Sequence, residues 1–533
     1  MDLALKSAIA EWTALLGADQ VMDGPQAQLA YGADTGGAVR RISGALKVRG
    51  RASVRGIMRI AFQYGIAVYP ISTGRNWGYG AAMPARDDCM ILDLSGLTRI
   101  IHFDPLLGVV TLEPGVTQGM LSVWLKQHGH PFMVPVTGAG PSCSLLGNAL
   151  ERGYGVTPHT DHFGAVTDLE AVLADGSRYR TALRTAAGAG LASLFKYGIG
   201  PLSPGLFTQS GFGVVTRMSI ALARKPEAVK VCLFSLKHDH LLEEAITRIH
   251  AILGKLPGTV GGINLMNRHR VLAMSAPYPS ERLDAHGLMP AAVVEELGRQ
   301  YQIAPWTGFG TLYGSKRMVA AAQKEIRQAL SGVASRLLFL SPTSARNLAG
   351  AARWIPGAMG QRLASTVQTL AKSLELVAGE PNETALPLAY WRNPVAPPAG
   401  PRHPARDGCG LLWYAPLVPM RPKNARAYVD MVTRVTREHG MEPLVTFTSI
   451  NDKLFDSTVP LLFDAGDPNA VGQARQCYDE LLEAGRKIGV FPYRVGIDTM
   501  KHFSRSQGDA GVLHKRLRDA IDPRRVIAPG RYE

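Results

Sequence analysis

The sequence predicts an α/β pattern of alternating strands and helices whose character changes twice along the chain, on three observations. From Val48 onward, short apolar runs alternate with segments of helical periodicity. After Arg224 the helical segments lengthen, and near Gly489 the chain returns to short motifs. The expected boundaries are 1–225, 226–488 and 489–533, with Lys225-Pro226 as the first junction. A chain of 533 residues can build two large cores, and 46% hydrophobic with 19% charged residues is an ordinary globular composition.

The first thirty residues have helical periodicity. Ala67 to Ile71 reads as a strand running into the Gly-rich loop Thr73 to Gly80, and Cys89 to Leu94 as the next strand. Thr98 to Phe103 and Gly108 to Glu113 are β segments joined at Asp104-Pro105, and a helix follows from Thr117 to His128. A second Gly-rich region runs from Val134 to Asn148, and the strand Thr167 to Ala174 ends in the turn Asp175-Gly176. Beyond the junction come a helix from Leu241 to Leu256 and a Pro- and Gly-rich stretch from Pro394 to Gly410. Between them lies a basic Leu/Ala-rich segment holding Arg346, Arg353 and Arg362, which reads as a solvated cap helix, with a membrane-surface or partner helix as the alternative.

Lysine and arginine outnumber aspartate and glutamate by 58 to 43, a net charge of +15, yet the basic residues are dispersed. Nucleic acid is therefore not the expected partner. No apolar stretch reaches the length of a membrane span, and Asp2, Lys6 and Glu11 interrupt the N-terminal segment where a secretory core would be continuous. A cytoplasmic protein is expected, with the periplasm as the alternative. The five cysteines are scattered, giving neither a disulfide framework nor a zinc site, and no metal is expected. The absence of CxxCH means that this chain attaches no c-type haem itself.

Neither glycine loop matches a P-loop or a strand-born GxGxxG. Clustered small residues let backbone N–H groups approach an anion, so a phosphate-bearing ligand of another kind is indicated, although such loops also occur as bare turns. Five runs now stand together: PISTGRNWGYGAAMP, GNALERGYGVTPHTDHFGAVTDLEAVLADG, LFKYGIGPLSPGLFTQSGFGVVTRM, Tyr493-Arg494 and the terminal DPRRVIAPG. In this order and spacing the chain resembles, along nearly its whole length, the vanillyl-alcohol oxidase and p-cresol methylhydroxylase flavoproteins. The resemblance implies a two-domain FAD-binding fold with an inserted α+β cap domain.

It further implies that Ser72, Thr73, Gly74, Arg75, Asn76 and Gly78 of the first loop, with Gly138, Gly140, Leu146, Gly147 and Asn148 of the second, enclose the FAD pyrophosphate and ribityl chain. Gly213 and Val214 would lie at the adenine end, and His159, Asp161, His162 and Arg531 also fall at cofactor positions. The family oxidises para-alkylphenols by hydride transfer from the benzylic carbon to flavin N5 through a quinone methide, followed by hydroxylation by water or desaturation. Tyr79, Tyr493 and Arg494 match its phenolate clamp, and Trp413 its substrate pocket. An arginine beside two tyrosines suits that task, since the guanidinium stays charged and both hydroxyls donate.

Departures from the pattern bear on the chemistry. His159 stands where relatives have an aromatic phenol, Val136 where they place an aspartate, and Asp456-Ser457 where the oxidases have a histidine pair, leaving Asp456 as the candidate base. Oxidases link FAD through a histidine whose place Leu411 or Leu412 takes here. The methylhydroxylases use a tyrosine whose place falls near His403, with Tyr390 as the alternative, and non-covalent FAD is the third case. The missing oxidase histidine places the chain nearer the methylhydroxylase branch. That branch implies a small phenolic substrate, a separate c-type cytochrome as acceptor and a homodimer. Two other readings stand beside it: an FAD-dependent oxidase of another alcohol or a 2-hydroxy acid, and a flavin-binding partner protein without catalysis.

Overall fold

The computed structural model describes residues 3–352, 357–505 and 508–533. The chain divides into two compact units, one of residues 1–155, 161–224 and 496–533 and the other of residues 156–160 and 225–495.

The first unit opens with the helix Leu3–Leu16, whose buried Trp12 donates its indole N–H to the Ile57 carbonyl at 3.2 Å. Ile57 lies on the helix Ser53–Tyr64, where Val54, Ile57, Met58 and Ala61 recur at three- and four-residue intervals and share the buried face. A four-stranded sheet runs in the order Val21–Met22, Ile42–Lys47, Cys89–Asp93, Val68–Ile71, parallel except at the first pair. Every residue of Cys89–Asp93 is buried, as befits a parallel strand at the centre of its layer.

The end of the chain joins the Val68 edge of this sheet. Val68 N–H donates to the Val526 carbonyl at 2.7 Å and Ala528 N–H to the Val68 carbonyl at 2.8 Å. Asp522, fully buried, holds the return in place: its carboxylate accepts the Val526 and Ile527 N–H groups at 2.9 and 2.8 Å and lies 3.2 Å from the Arg518 guanidinium. The DPRRVIAPG run is thus a turn, exposed at Pro523 and Arg524 and buried from Val526, that seats Val526 to Ala528 on the sheet. A second sheet, antiparallel, has the order Ile100–Asp104, Val109–Leu112, Val214–Ala221, Val166–Val172, Arg178–Arg180.

The second unit is a large antiparallel sheet with helices on one face. Its strands run Ala334–Leu340, Ala228–Leu236, Trp306–Gly314, Val260–Asn267, Thr446–Ser449, Leu454–Asp464, Pro416–Pro419 and Phe491–Pro492, and Cys409–Tyr414 also pairs with Leu454–Asp464. The helices Leu242–Lys255, Lys316–Ala329, Pro422–Glu438 and Pro468–Lys487 bury Leu265, Phe447, Phe455 and Val459 of the sheet in one apolar core. Side chains alternate along a strand, so the neighbours of those residues occupy the opposite face. The register sets Phe309, Asn264, Thr448, Asp456 and Leu417 in one row across five strands of that face, and Leu417 pairs in turn with Phe491, whose ring packs on the helix side. Thr307, Met266, Thr446 and Thr458 form the next row.

The chain returns to the first unit at Gly496 rather than at Gly489, because Phe491–Pro492 is hydrogen-bonded as the last strand of the large sheet. The basic segment forms the helices Pro342–Ala352 and Gly357–Val377, and Arg346 is exposed. Arg353 and the side chain of Arg362 lie outside the described residues. No described helix is long and apolar enough to cross a membrane.

Candidate active site

The first glycine loop leaves the Val68–Ile71 strand and folds on itself. Tyr79 and Ala81 N–H both donate to the Asn76 carbonyl, at 3.1 and 3.0 Å, and Gly78 N–H to the hydroxyl of buried Thr35 at 2.7 Å. Gly80 has φ +119°, and a Cβ there would lie 2.6 Å from Ile497, so only glycine fits. Ile497 N–H in turn donates to the Tyr79 carbonyl at 3.1 Å. Arg75 lies over the Trp77 ring, 5.9 Å from its centroid.

The second loop is anchored by a residue the sequence reading passed over. Buried Gln118 donates to the Thr137 hydroxyl at 2.8 Å and accepts Thr137 N–H at 3.1 Å. Ser144 caps the short helix Leu145–Leu150 by accepting Gly147 N–H at 3.0 Å, and donates to the Pro114 carbonyl at 2.6 Å. A Cβ on Gly147 would sit 3.1 Å from the Ser72 hydroxyl, so the two loops meet where small residues leave the backbones bare. The N–H groups of Thr73 and Gly74 have no acceptor among the described residues. Such a cradle fits the pyrophosphate of FAD, whose anionic oxygens would accept from these backbone groups. Gly138 is exposed, Gly140 takes φ +86° and Leu146 is buried.

Several candidate cofactor residues make internal bonds that account for them in whole or in part. Asn148 and His162 are joined side chain to side chain, and the exposed Asp161 carboxylate caps a turn by accepting Gly164 N–H at 2.7 Å. Arg531 pairs with Glu151 and donates to the Tyr69 hydroxyl at 3.2 Å. Burial opposes its charge, but Glu151 and Tyr69 outweigh that and raise its pKa. Val214 is a core residue, and a Cβ on Gly213 would meet Phe207 at 2.7 Å, so protein packing already requires glycine there. His159 lies in the short segment grouped with the second unit, where Tyr313 donates to the Val156 carbonyl at 2.7 Å. Burial lowers its pKa and keeps the imidazole neutral.

The second unit brings Asp456, Tyr493 and Arg494 together. Asp456 is buried in the row across the sheet, and Tyr493 follows the strand Phe491–Pro492 that pairs with the end of that row. Burial pushes the Asp456 carboxyl up to about 7, against the opposing charge of Arg494 and a hydrogen bond from Tyr493. A carboxyl so poised can take or give a proton near neutral pH. Trp413 pairs with Pro460 on the same face and is half-buried against the apolar cluster that holds Tyr390, Leu411 and Leu462. Adjacent Leu412 packs instead on the helix side.

The two candidates for flavin attachment converge on one carboxylate. Tyr390 donates to Asp407 at 2.6 Å, and the backbone N–H of His403 donates to the same oxygen at 2.9 Å. His403 Nδ1 accepts Arg406 N–H at 3.2 Å. Burial and the Asp407 bond raise the Tyr390 pKa and hold its hydroxyl protonated, the wrong state for a nucleophile. Among the described residues no group of His, Cys, Asp and Glu could hold a metal ion.

Residues 43–182 match the FAD binding domain family. The chain is 33% identical over 531 residues to 1'-carboxy-chondrochloren decarboxylase of Chondromyces crocatus, covering 99% of this chain and 97% of that one. It is 26% identical over 531 residues to the flavoprotein subunit of 4-cresol dehydrogenase [hydroxylating] of Pseudomonas putida, covering 98% and 94% of the two chains. The fold of p-cresol methylhydroxylase with substrate bound superposes with a TM-score of 0.87 at 24% identity, over 100% of this chain and 97% of that one. Fold and loops define an FAD-dependent oxidoreductase. Within that class, the chain belongs to the vanillyl-alcohol oxidase and p-cresol methylhydroxylase family.

Proposed function

We propose that the protein oxidises a para-alkylphenol at its benzylic carbon, with Tyr79, Tyr493 and Arg494 holding the phenol as phenolate. The product is the alcohol after water addition or the alkene after proton loss. The observation that carries this reading is Asp456, a buried carboxyl with a pKa of about 7 beside Tyr493 and Arg494. A guanidinium and tyrosine hydroxyls at a phenol oxygen favour its anion, and a carboxylate of that pKa accepts the proton released. FAD, when bound, supplies the two-electron acceptor for the hydride. Anaerobic addition of 4-ethylphenol or 4-propylguaiacol to the holoprotein is expected to bleach the flavin. A flavin that stays oxidised across a panel of such phenols refutes the assignment.

As a base Asp456 has to be ionised, so kcat/KM is expected to rise as the pH passes about 7. Asp456→Asn should lower kcat/KM by about 10²- to 10⁴-fold and remove that limb of the profile. Stability runs the other way. The unfolded carboxyl ionises near 3.8 while the folded one stays protonated to about 7, so its contribution is full below the lower value and is lost as the pH rises to the higher. Melting curves of wild type and Asp456→Asn from pH 4 to 8 check the sign: the wild type should lose ground to the variant as the pH rises.

The same reading takes electrons to a separate c-type cytochrome, and the chain to a cytoplasmic homodimer. Rapid reduction of an artificial acceptor with little oxygen uptake supports the cytochrome, and rapid peroxide formation excludes it. If the flavin stays with acid-precipitated protein, His403 is the proposed point of attachment over Tyr390, whose hydroxyl is held protonated.

The relative named a decarboxylase favours a second outcome at the same site. Where the carbon next to the benzylic one carries a carboxylate, loss of hydride to the flavin and of CO2 from adjacent carbons leaves a C=C bond and the phenol. Release of CO2 in step with flavin reduction separates this outcome from hydroxylation.

A further inference from the structure

Arg270 stands apart from the other charged side chains of the second unit. It is the third residue of the helix Arg268–Ser275, whose start is fixed by Asn267: the Asn267 side chain accepts Arg270 N–H at 3.0 Å and Val445 N–H at 3.1 Å, and donates to the Pro443 carbonyl at 2.6 Å. Its two neighbours face acids, Arg268 paired with Glu295 and His269 lying 3.8 Å from Glu442. Arg270 has no carboxylate partner among the described residues. Its Nε donates to the Thr446 hydroxyl at 3.1 Å, and its Nη1 is inaccessible to solvent and bonded to nothing described. Burial, with no acid to offset it, draws its pKa down to about 10, so the group remains a cation at neutral pH.

Arg270 is half-buried as a whole, but a cation with a donor that neither water nor protein satisfies is costly unless an anion completes it. The fold shows where such an anion would lie. Thr446, which holds the guanidinium, faces the same side of the sheet as Asp456, in the neighbouring row and about 7 Å along the strand. Thr448 and Thr458, which complete the square between them, are half-buried, as are Asn264 and Met266 on the strand beyond Thr446, unlike the fully buried Leu265 and Phe447 of the helix-packed face. Leu272 and Ala273 of the same helix belong to the apolar cluster that also holds Leu411 and Leu462. Arg270 therefore borders the accessible part of the face, one row from the acid beside Tyr493 and Arg494.

We propose that Arg270 binds a carboxylate carried on the para side chain of the phenolic substrate, so that the substrate class is an anionic alkylphenol rather than a neutral one. This rests on the alkylphenol reading for the ring, while the subsite itself rests on Arg270. A planar guanidinium offering its Nη edge is shaped for a carboxylate, and a fixed positive charge in a dry site discriminates against the uncharged isostere.

Calorimetric titration of the dithionite-reduced holoprotein under anaerobic conditions, where no hydride can be accepted, tests it, with four ligands: 3-(4-hydroxyphenyl)propanoate, its amide, 4-propylphenol and 3-phenylpropanoate. Wild type should bind the hydroxyphenyl carboxylate at least ten times more tightly than the amide or 4-propylphenol. Arg270→Met should abolish that preference and leave the affinity for 4-propylphenol within twofold, and Arg270→Lys should retain part of it. Equal affinity of wild type for the carboxylate and its amide overturns the proposal without recourse to any variant, as does a preference that survives in Arg270→Met. Failure of the wild type to bind any of the four also overturns it. If both carboxylates bind in an Arg270-dependent way whether or not the ring bears a hydroxyl, the subsite stands and the phenol reading falls. If the phenols bind without regard to Arg270, the reverse holds.

Discussion

Replacing Arg494 with alanine is expected to lower kcat/KM for 4-ethylphenol by about three orders of magnitude, as loss of a preorganised electrostatic partner from a dry site does. A second effect separates this from simple misfolding. Arg494 draws the Asp456 pKa down against its burial, so without the guanidinium the ascending limb of the pH profile should move above about 7. Arg494→Lys keeps the charge but not the fork of donors. It should hold the limb near its wild-type position while losing much of the rate. A loss below tenfold in Arg494→Ala, or a limb that stays in place, contradicts the role assigned to this residue.

The second large effect lies away from the chemistry. Asp522→Ala removes the acceptor of two buried backbone N–H groups and takes from Arg518 the more buried of its two carboxylates, leaving it Glu533 at 2.8 Å. Truncating one partner of a buried, hydrogen-bonded ion pair costs about 3 to 5 kcal/mol. Differential scanning calorimetry should show the first unit melting roughly 10 °C lower, with flavin released at the same temperature. Asp522→Asn, which keeps one acceptor oxygen, should lose less. A transition within 2 °C or so of wild type refutes the structural role given to the turn.

What the sequence made legible was local. The loops Thr73 to Gly80 and Val134 to Asn148 stand out because their glycines are contiguous, and the helix Ser53–Tyr64 because its apolar spacing is complete within one element. Asp456, Tyr493 and Arg494 were named from family position, but the sequence held no sign that burial sets the Asp456 carboxyl near neutrality. That follows from a register joining strands far apart in the chain. Thr35, Gln118 and Arg270 were missed for a related reason. Each is an ordinary polar residue in its own segment and acquires meaning only from a partner elsewhere, Gly78, Thr137 and Thr446 respectively. The two-residue strand Phe491–Pro492 is too short to show alternation, which is why the return to the first unit was placed at Gly489 instead of Gly496.

The seating of Val526–Ala528 on Val68 has a consequence for biosynthesis. A ribosome delivers residues in order at about 5 to 20 per second, so the Val68 edge waits unpaired until Val526 to Ala528 have followed the whole of the inserted unit. The inserted unit, by contrast, has its whole sheet and helix core available once Val495 has emerged. Nascent chains are thus set to complete the inserted unit before the first one, and Val526 to Ala528 act as the clasp that ends the exposure of a half-finished sheet.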